Sequence, residues 1–276
     1  MVVVLLDSSF LIYRAWHGYN SEKFKAPDGR HTNAIYGFVN SIKQMYNIFG
    51  VRSDEVKFIA CFDSNSKNHK RSEINPEYKA GRTLPDGLGP QFDICKDACN
   101  ALNIPVLIDN DYEADDLIAT LAVRYGNDGQ QVIVVTCDKD MYQLINENVS
   151  IYNIIKKSFV KKEQVIEKFG VAPEHMITYQ AIVGDKVDNI IGIHGIGPKS
   201  AKVIIEAMNK SDEEMNPKEL RLMKKFNENK EIYTKNLDLV KLHTDIDITV
   251  ELIPFDMKFF KDKKYKEVVS PLGFRV

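Results

Sequence analysis

The chain has 276 residues, enough for one large domain or one and a half with a sizeable core. Its apolar fraction of 44% and charged fraction of 28% are typical of a soluble globular protein. No apolar run approaches the roughly 18 residues of a membrane span, and the N-terminus lacks the basic start of a signal peptide. The four cysteines include no Cys-x-x-Cys pair, which favours free thiols over a zinc site. We therefore expect a cytoplasmic protein with no membrane segment.

The formal net charge of −2 at first argues against a nucleic-acid partner. The distribution of charge matters more than its sum, and nine of the acids fall into a few short clusters. Without those nine acids, the rest of the chain carries an excess of lysine and arginine. An acidic centre in a basic surround would suit a polyanionic substrate that metal ions bridge to the protein.

Apolar runs and helical patterns alternate along the first half of the chain. Four runs rich in β-branched residues predict strands buried on both faces, at 2–6, 57–62, 104–108 and 131–136. Helical patterns cover 33–49, 90–102 and 113–126. This alternation predicts an α/β fold with a central, mostly parallel sheet flanked by helices.

Acidic residues follow three of these strands at the point where each ends. Asp7 follows the first strand, Asp63 follows the second, and Asp138 and Asp140 follow the fourth. A single aspartate at such a position is commonly a turn residue or a helix cap. In a parallel sheet, however, ligands bind outside the carboxyl ends of the strands. The repetition therefore predicts a shared acidic site at one edge of the sheet.

A further acidic cluster, Glu113, Asp115 and Asp116, opens the helix predicted at 113–126 on the same side. Acids in a first turn can simply complement the helix dipole and cap free N–H groups. Three neighbouring acids also repel one another, and helix capping does not explain why the chain accumulates them. A bound divalent cation such as Mg²⁺ would explain them, because carboxylate oxygens are its usual protein ligands.

The segment 64–90 is basic and carries one interleaved tyrosine, Tyr78. Its basic residues are Lys67, His69, Lys70, Arg71, Lys79 and Arg82. A charge run is usually a solvated face, but this one follows Asp63 directly. We therefore expect it to contact phosphate beside the acidic site.

A second functional pattern lies between two helices predicted at 173–183 and 199–208. It contains the acids Asp185 and Asp188, followed by a glycine turn from Gly195 to Lys199. Glycines permit a tight turn, and exposed N–H groups at a helix N-terminus can receive a backbone phosphate. This pattern indicates a helix-hairpin-helix, with Lys199 and Lys202 beside the phosphate. After it, 217–242 is predicted to be one charged amphipathic helix packed on the domain, and the lysine-rich tail suggests no chemistry.

Together these motifs resemble the 5′-nuclease (flap endonuclease) family over about residues 1–250. The likeness is to free-standing phage and bacterial 5′–3′ exonucleases and to the N-terminal domain of bacterial DNA polymerase I. The matching pieces are Asp7 with Tyr13-Arg14-Ala15-Trp16-His17, Phe62-Asp63, Tyr78-Lys79-Ala80-Gly81-Arg82, Glu113-Ala114-Asp115-Asp116, Asp138-Lys139-Asp140, Gly184-Asp185-Lys186-Val187-Asp188-Asn189 and Gly195-Ile196-Gly197-Pro198-Lys199. Each motif is common alone, but their joint order is specific.

The resemblance implies a PIN-like core at 1–160 with a helical arch at 64–100, and a helix-hairpin-helix subdomain at 161–276. It implies a two-metal phosphodiesterase that cuts DNA near a 5′ junction. The tighter ion would be held, directly or through water, by Asp7, Asp63, Glu113, Asp115 and Asp116, and the second by Asp138, Asp140, Asp185 and Asp188. The catalytic set would be Asp7, Asp63, Asp116 and Asp140, with Lys79 and Arg82 stabilising charge on the scissile phosphate. The DNA contacts would be Arg14, Lys70, Arg71, Tyr78, Lys79, Arg82, Gly195, Gly197, Lys199, Ser200 and Lys202, with Tyr78 stacking on a base.

The same resemblance implies two Mg²⁺ or Mn²⁺ ions and a K⁺ ion at the hairpin. The expected partner is flapped, branched or 5′-ended DNA, including RNA–DNA primers, with a monomeric enzyme coupled to a separate polymerase in replication or repair. Two other readings remain open. A PIN-type single-strand ribonuclease would be shorter and would lack the hairpin and the Asp185/Asp188 pair. A non-catalytic binder of branched DNA would not need nine clustered acids.

Overall fold

A six-stranded sheet, β1 to β6, forms the centre of the molecule. The computed structural model describes residues 1–50, 55–64, 70–81 and 83–274. The strands are β1 Val2–Asp7, β2 Val56–Cys61, β3 Val106–Leu107, β4 Gln131–Val135, β5 Val149–Asn153 and β6 Ser158–Phe159. Their order is β3-β2-β1-β4-β5-β6, and all pairs are parallel except β5 with β6. The strand order changes direction between β1 and β4, which is where open α/β sheets bind ligands.

Helices cover both faces of the sheet. They are α1 Ser8–Gly18, α2 Asn33–Phe49, α3 Lys70–Ile74, α4 Gly89–Ala101, α5 Ala114–Asn127, α6 Lys162–Phe169, α7 Met176–Val183, α8 Pro198–Ala207, α9 Pro217–Glu228, α10 Lys230–Val240 and α11 Lys263–Val269. A small antiparallel sheet of β7 Gly184–Asp185 and β8 Ile190–Ile191 lies between α7 and α8. No helix among the described residues is long and apolar enough to cross a membrane.

The alternation of side chains along β1 creates two apolar layers. Val3 and Leu5 pack in one layer with α5, α7 and α8. Val4 and Leu6 pack in the other with α1, α2, α4 and α11. The predicted fold of a mostly parallel sheet between helices is therefore confirmed. The first layer also runs without a break from the sheet into α8 and α9. The segment from α7 to α8, which we call the hairpin region, therefore shares its core with the sheet.

Two local predictions differ from the structure, and one helix was not predicted. The third strand is shorter than 104–108, because the N–H of Ile104 bonds back to Cys99 of α4 and Pro105 has no N–H to donate. Helix α1 had no predicted counterpart, and it begins directly where β1 ends. The single helix expected at 217–242 is two helices, since the chain leaves helical geometry at Asn229.

The lysine-rich tail returns to the sheet and helices of the N-terminal half. The N–H of Phe255 donates to the carbonyl of Val56 at 2.8 Å, beside β2. Arg124 of α5 donates to the carbonyl of Ile248 at 2.6 Å. Phe260, Tyr265, Val269 and Leu272 are buried in the layer of α2 and α4. The tail therefore completes the core, which is a structural role that the sequence had not suggested.

The region 64–100, which the resemblance predicts to be an arch, includes a helix of the core. Helix α4 buries Cys95, Ala98 and Cys99 against the sheet layer, so the last part of this region belongs to the core. Residues 65–69, which include Lys67 and His69, and residue 82 lie outside the described part of the chain. The part before α4 that the structure describes contains α3 and the turns around 76–81.

Candidate metal centres and nucleic-acid interface

Asp7 is fixed at the crevice between β1 and β4. Its Oδ1 accepts from the N–H of Phe10 at 3.1 Å, which caps α1, and its Oδ2 accepts from Thr136 Oγ1 at 2.7 Å. The Thr136 hydroxyl also accepts from the N–H of Asp138 at 3.0 Å. One threonine at the end of β4 therefore positions two of the predicted acids, a role that sequence reasoning missed. Its signal was a hydroxyl residue at the end of a strand, two residues before Asp138.

Asp63 and Asp115 lie beside Asp7. Asp63 Oδ1 accepts from the N–H of Ala114 at 2.9 Å, which joins the end of β2 to the start of α5. Burial raises the pKa of Asp7 to about 7, and the charges of Asp63 and Asp138 add to this against the hydrogen bond from Thr136. Burial and the charges of Asp138, Asp7 and Asp63 also raise the pKa of Asp115. We call Asp7, Asp63, Asp115 and Asp138 the first acidic group. The resemblance had assigned Asp138 to the second ion, but Thr136 binds both Asp7 and Asp138 and so places them together.

The second acidic group consists of Asp140, Asp185 and Asp188. Each offers a carboxylate oxygen, and these oxygens lie within 4.8 Å of one another. A hard divalent ion binds carboxylate oxygens at about 2.0 to 2.6 Å, so three oxygens at this spacing can reach one ion. Among the described residues, no other trio of acidic, histidine or cysteine side chains closes to this spacing. The donor set therefore fits a divalent ion with oxygen ligands.

Neighbouring side chains hold the second group in place. Gln180 of α7 donates to Asp140 Oδ1, and the N–H of Val187 donates to Asp185 Oδ1 at 2.9 Å. Lys139 forms an ion pair with Asp185 Oδ2. Burial and the charge of Asp138 raise the pKa of Asp140 to about 7, and the Gln180 hydrogen bond opposes them. The sequence signal for Gln180 was a polar residue inside the apolar run of α7.

Gln180 adds a polar atom of its own beside the second group. Its side chain is buried, and within the described ranges its Oε1 accepts no hydrogen bond. A buried carbonyl-type oxygen next to three carboxylates is one further oxygen donor of the type that divalent ions accept. This observation also fits an ion at the second group.

Glu113 and Asp116 lie behind the first group rather than in it. Asp116 is fully buried, and both of its oxygens accept from the Arg71 guanidinium, at 2.6 and 2.7 Å. Its oxygens also accept from the backbone N–H groups of Glu113 and His243. The prediction that Asp116 holds an ion directly or through water stays a prediction; the four donors on its two oxygens, two of them from a buried arginine, favour an indirect role. Asp116 therefore supports the first acidic group from behind, through its bonds to Arg71 and the backbone.

The role predicted for Arg71 also differs from its place in the structure. Arg71 was predicted to contact DNA, but it is 3% exposed and donates to Glu113, Asp116 and the carbonyls of Leu239 and Lys241. A buried arginine needs such partners for every donor, since an unpaired buried charge is costly. Arg71 therefore joins α3, α5 and the end of α10.

Tyr78 and Lys79 both bind Glu113 from the turn that follows α3. Tyr78 is buried against Ile190 and Leu239, and its hydroxyl donates to Glu113 Oε2 at 3.0 Å. The expectation that this ring stacks on a base stays a prediction: Tyr78 is largely buried, but it also lines an open cavity together with Asp63. Lys79 Nζ donates to Glu113 Oε1 at 2.6 Å. Burial alone would raise the pKa of Glu113, but the charges of Lys79 and Arg71 hold it below its usual range.

A cavity of about 920 Å³ opens beside the acids. It is lined by residues of α1, the turns at 76–84 and α4, together with Asp63, Lys79 and Glu113. Two other predicted DNA contacts lie apart from it. Lys70 is exposed, donates a hydrogen bond to the Tyr112 hydroxyl and lies over the ring of that tyrosine. Arg14 is half-buried on α1. Arg82 lies outside the described residues.

The glycine turn before α8 is on the surface, as a phosphate-binding turn requires. Gly195 has φ +71°, a left-handed conformation that glycine adopts without strain. Gly197 caps α8 with Pro198 at the first helical position. Gly195, Gly197, Lys199 and Lys202 are exposed, and Ser200 is half-buried. The turn and the start of α8 therefore face solvent beside two lysines.

Solved structures of nucleases share this fold over nearly the whole chain. A bacteriophage T5 5′-exonuclease with divalent zinc ions bound matches with a TM-score of 0.67 at 24% identity, over 99% of this chain and 100% of that one. The catalytic core of Rad2 in complex with a DNA substrate matches with a TM-score of 0.54 at 17% identity, over 98% and 92%. At these identities the likeness concerns the fold alone.

Sequence relatives are closer. The 5′-3′ exonuclease of Aquifex aeolicus is 36% identical over 257 residues, which are 92% of this chain and 85% of that protein. DNA polymerase I of Rhizobium leguminosarum is 34% identical over 258 residues. That match covers 90% of this chain but 25% of the polymerase, so the chain corresponds to about a quarter of that relative.

Two family models divide the chain between them. The N-terminal, resolvase-like domain of 5′-3′ exonucleases matches residues 2–170, and their C-terminal SAM fold matches residues 171–263. The first model spans the sheet and the three acidic segments that follow β1, β2 and β4, and the second spans the hairpin region with Asp185 and Asp188. The chain therefore belongs to the 5′-3′ exonuclease family.

Proposed function

We propose that the chain is a structure-selective 5′ nuclease that hydrolyses phosphodiester bonds in DNA by a two-metal mechanism. The observation that carries this proposal is the contact between the two acidic groups at the sheet edge. The N–H of Asp140 in the second group donates to Asp138 Oδ1 in the first at 2.9 Å. Two adjacent sets of oxygen donors, the first of which reaches an open cavity through Asp63, are what a phosphodiesterase with two ions requires.

We assign one ion to each group, with Mg²⁺ as the physiological ion and Mn²⁺ as a substitute. When bound, the pair would supply an activated water and a positive field for the leaving oxygen. Asp7, Asp63, Asp115 and Asp138 would hold the first ion, and Asp140, Asp185 and Asp188 the second. Glu113 and Asp116 would act indirectly: their bonds to Arg71, Tyr78 and Lys79 would hold the first acidic group in position.

Lys79 and Arg82 are the proposed cations for the scissile phosphate. Lys79 lines the cavity and lies next to the first group through its bond to Glu113. A phosphate that enters the cavity would compete with Glu113 for this ammonium, which is a flexible point charge. Arg82 follows three residues later, outside the described part of the chain.

The DNA would bind along the surface that joins the cavity to the glycine turn. We assign the single-stranded 5′ end to the cavity and the duplex backbone to Gly195, Gly197, Lys199, Ser200 and Lys202, with a K⁺ ion at the turn. Lys70 and Arg14 would contact the strand on either side. The preferred partner is then flapped, branched or 5′-ended DNA, and RNA–DNA primers would enter the same path.

We further propose that the enzyme acts as a monomer in the cytoplasm, during replication or repair. The match to a segment of DNA polymerase I supports a functional coupling to DNA synthesis. A PIN-type ribonuclease and an inactive DNA binder remain the alternatives, and the hairpin region and the closed second group favour the nuclease over both.

The test is cleavage of a 5′-flap duplex labelled at either end, with Mg²⁺ and with EDTA. We expect a metal-dependent cut within about a nucleotide of the junction, and no cut in EDTA. A flap that is bound tightly but never cut, in Mg²⁺ or Mn²⁺, would contradict the nuclease and favour a DNA-binding module. Cleavage of single-stranded RNA in preference to the flap would favour the ribonuclease.

A further inference from the structure

Lys139 lies inside the motif that supplies both acidic groups, between Asp138 and Asp140. Its Nζ is 2.5 Å from Asp185 Oδ2. The Asp185 side chain is 6% exposed, whereas that of Lys139 is 32% exposed. The lysine therefore reaches from the solvent side onto a buried carboxylate of the second group.

This ion pair reduces the electrostatic repulsion among the carboxylates of the second group. Three carboxylates whose oxygens lie within 4.8 Å repel one another, and burial of Asp185 and Asp188 strengthens the repulsion. Gln180 and the N–H of Val187 supply neutral donors, whereas the Lys139 ammonium supplies a full positive charge. The second group thus already contains a bound cation before any metal ion arrives.

An ammonium and a divalent ion cannot share one carboxylate at low cost. Asp185 Oδ1 is already held by a backbone donor, so an ion that approaches this carboxylate meets Lys139 at Oδ2. Two cations at that distance in a partly buried site repel strongly. Lys139 can leave, because its side chain is partly exposed and its stem is flexible. Asp7 in the first group differs, because its oxygens are held by neutral donors from Thr136 and Phe10.

We propose that Lys139 is a resident counter-ion of the second acidic group and that the second divalent ion must displace it. The proposal rests on the proposed function, since it assumes that this group binds an ion. Lys139 then lowers the affinity of the second group for its ion, and it keeps the acids together while the ion is absent. The second ion binds more weakly than it would to the same acids without this lysine.

The test measures Mn²⁺ binding without DNA, by calorimetry and by the spin-resonance signal of free Mn²⁺. Lys139→Met removes the ammonium and should tighten the second binding event by about tenfold, the order of effect that groups beside metal ligands produce. Lys139→Arg keeps the charge and should bind no more tightly than the wild type. Asp185→Asn should lose this event, which identifies it.

Lys186→Met is the matched control. Lys186 is exposed, directly follows Asp185 and forms no ion pair in the described ranges. Lys186→Met removes the same unit charge near the same acids, so it measures the long-range effect of charge on metal affinity alone. The tightening in Lys139→Met should exceed that in Lys186→Met by severalfold.

Thermal unfolding supplies a second readout that does not depend on calorimetric fitting. Without metal, Lys139→Met should melt at a lower temperature than the wild type, because its acids lack their counter-ion. Saturating Mn²⁺ should raise its Tm by more than it raises that of the wild type. Lys139→Gln, which keeps a donor for Asp185 without the charge, should behave in the same way and serves if Lys139→Met does not fold.

The outcomes separate this proposal from the proposed function. If two ions bind to the wild type and the second binds equally well or more weakly in Lys139→Met and Lys139→Gln, the counter-ion role is overturned and the two-metal nuclease stands. If the wild type binds no divalent ion in either assay, both proposals fall. Tighter second-ion binding in the neutral variants, and not in Lys139→Arg or Lys186→Met, supports the displacement.

Discussion

The two acidic groups are built in different ways. The first is set by the sheet: its acids end adjacent strands or open the helix beside them, and Thr136 and Ala114 hold Asp7 and Asp63 across those elements. The second joins Asp140, next to the sheet, with Asp185 and Asp188 from the hairpin region, more than forty residues later. A strand edge is local and rigid, whereas the second group exists only when α7 and β7 pack against the end of β4. The second group should therefore be the more sensitive of the two to its surroundings.

Neutralising one acid of the second group is the most severe test of this difference. Asp140→Asn or Asp185→Asn should lower the rate of flap cleavage by about a thousandfold or more, because the loss of a bound ion removes several kcal/mol of transition-state stabilisation. DNA affinity in Ca²⁺ should stay within about threefold, since carboxylates repel phosphate rather than bind it. Single-turnover cleavage and a binding titration measure the two quantities.

Asp128→Asn is the matched control for this prediction. Asp128 is exposed at the far end of α5 from the acidic groups, so its loss should change neither quantity. Equal rates for Asp140→Asn and the wild type would mean that the second group plays no part in cleavage.

The next test concerns the support beneath the first group. Arg71→Ala leaves Asp116 and Glu113 buried without their guanidinium, and breaking a buried ion pair costs about 3 to 5 kcal/mol of unfolding free energy. Urea unfolding should show this loss, whereas Lys162→Ala in the exposed Lys162–Glu174 pair should change little. If Arg71→Ala were as stable as the wild type but bound DNA poorly, Arg71 would be a DNA contact after all.

The glycine turn offers a smaller effect on binding alone. Lys199→Ala combined with Lys202→Ala should weaken duplex binding severalfold and reduce the salt dependence of binding by roughly two phosphate contacts. The rate of cleavage at saturating DNA should be nearly unchanged, because the turn is separate from the acids. Lys264→Ala is a suitable control, since α11 packs on the other face of the sheet from α8.

The smallest effect is on the pH dependence of stability without metal. Burial raises the pKa of Asp140 to about 7, whereas an aspartate in the unfolded chain titrates near 4. Between these two values the folded state holds a proton that the unfolded chain has released. The stability that this proton contributes is therefore fully present below about pH 4 and is lost as pH rises toward 7. Melting in EDTA should show a steeper loss across this range for the wild type than for Asp140→Asn. Mg²⁺ should reverse the trend, because it binds the ionised acid.

Sequence reasoning located the acids because strand ends are visible in a sequence. The runs that end at Asp7, Asp63 and Asp138 are short and apolar, and parallel strands place their ends together. Contacts between distant segments were not visible in this way. Arg71 and Asp116 are 45 residues apart in sequence, and nothing in a basic run distinguishes the arginine that will be buried from those that stay in solvent.

The same limit explains why the packing partners of Tyr78 and the ion pair of Lys139 were not predicted. An aromatic residue among lysines suggests base stacking, but Tyr78 also packs against Ile190 and Leu239, which come from far along the chain. Lys139 lies between two aspartates, and only the position of Asp185 shows which acid it binds. The break at Asn229 was missed because α9 and α10 together keep a helical pattern of apolar residues.

The central claim, that the two acidic groups each bind one ion, is tested most directly by crystals soaked in Mn²⁺ and measured at its absorption edge. We predict two anomalous peaks about 4 Å apart, one among Asp7, Asp63, Asp115 and Asp138 and the other among Asp140, Asp185 and Asp188. A single peak at saturating Mn²⁺, or peaks away from both groups, would contradict the account.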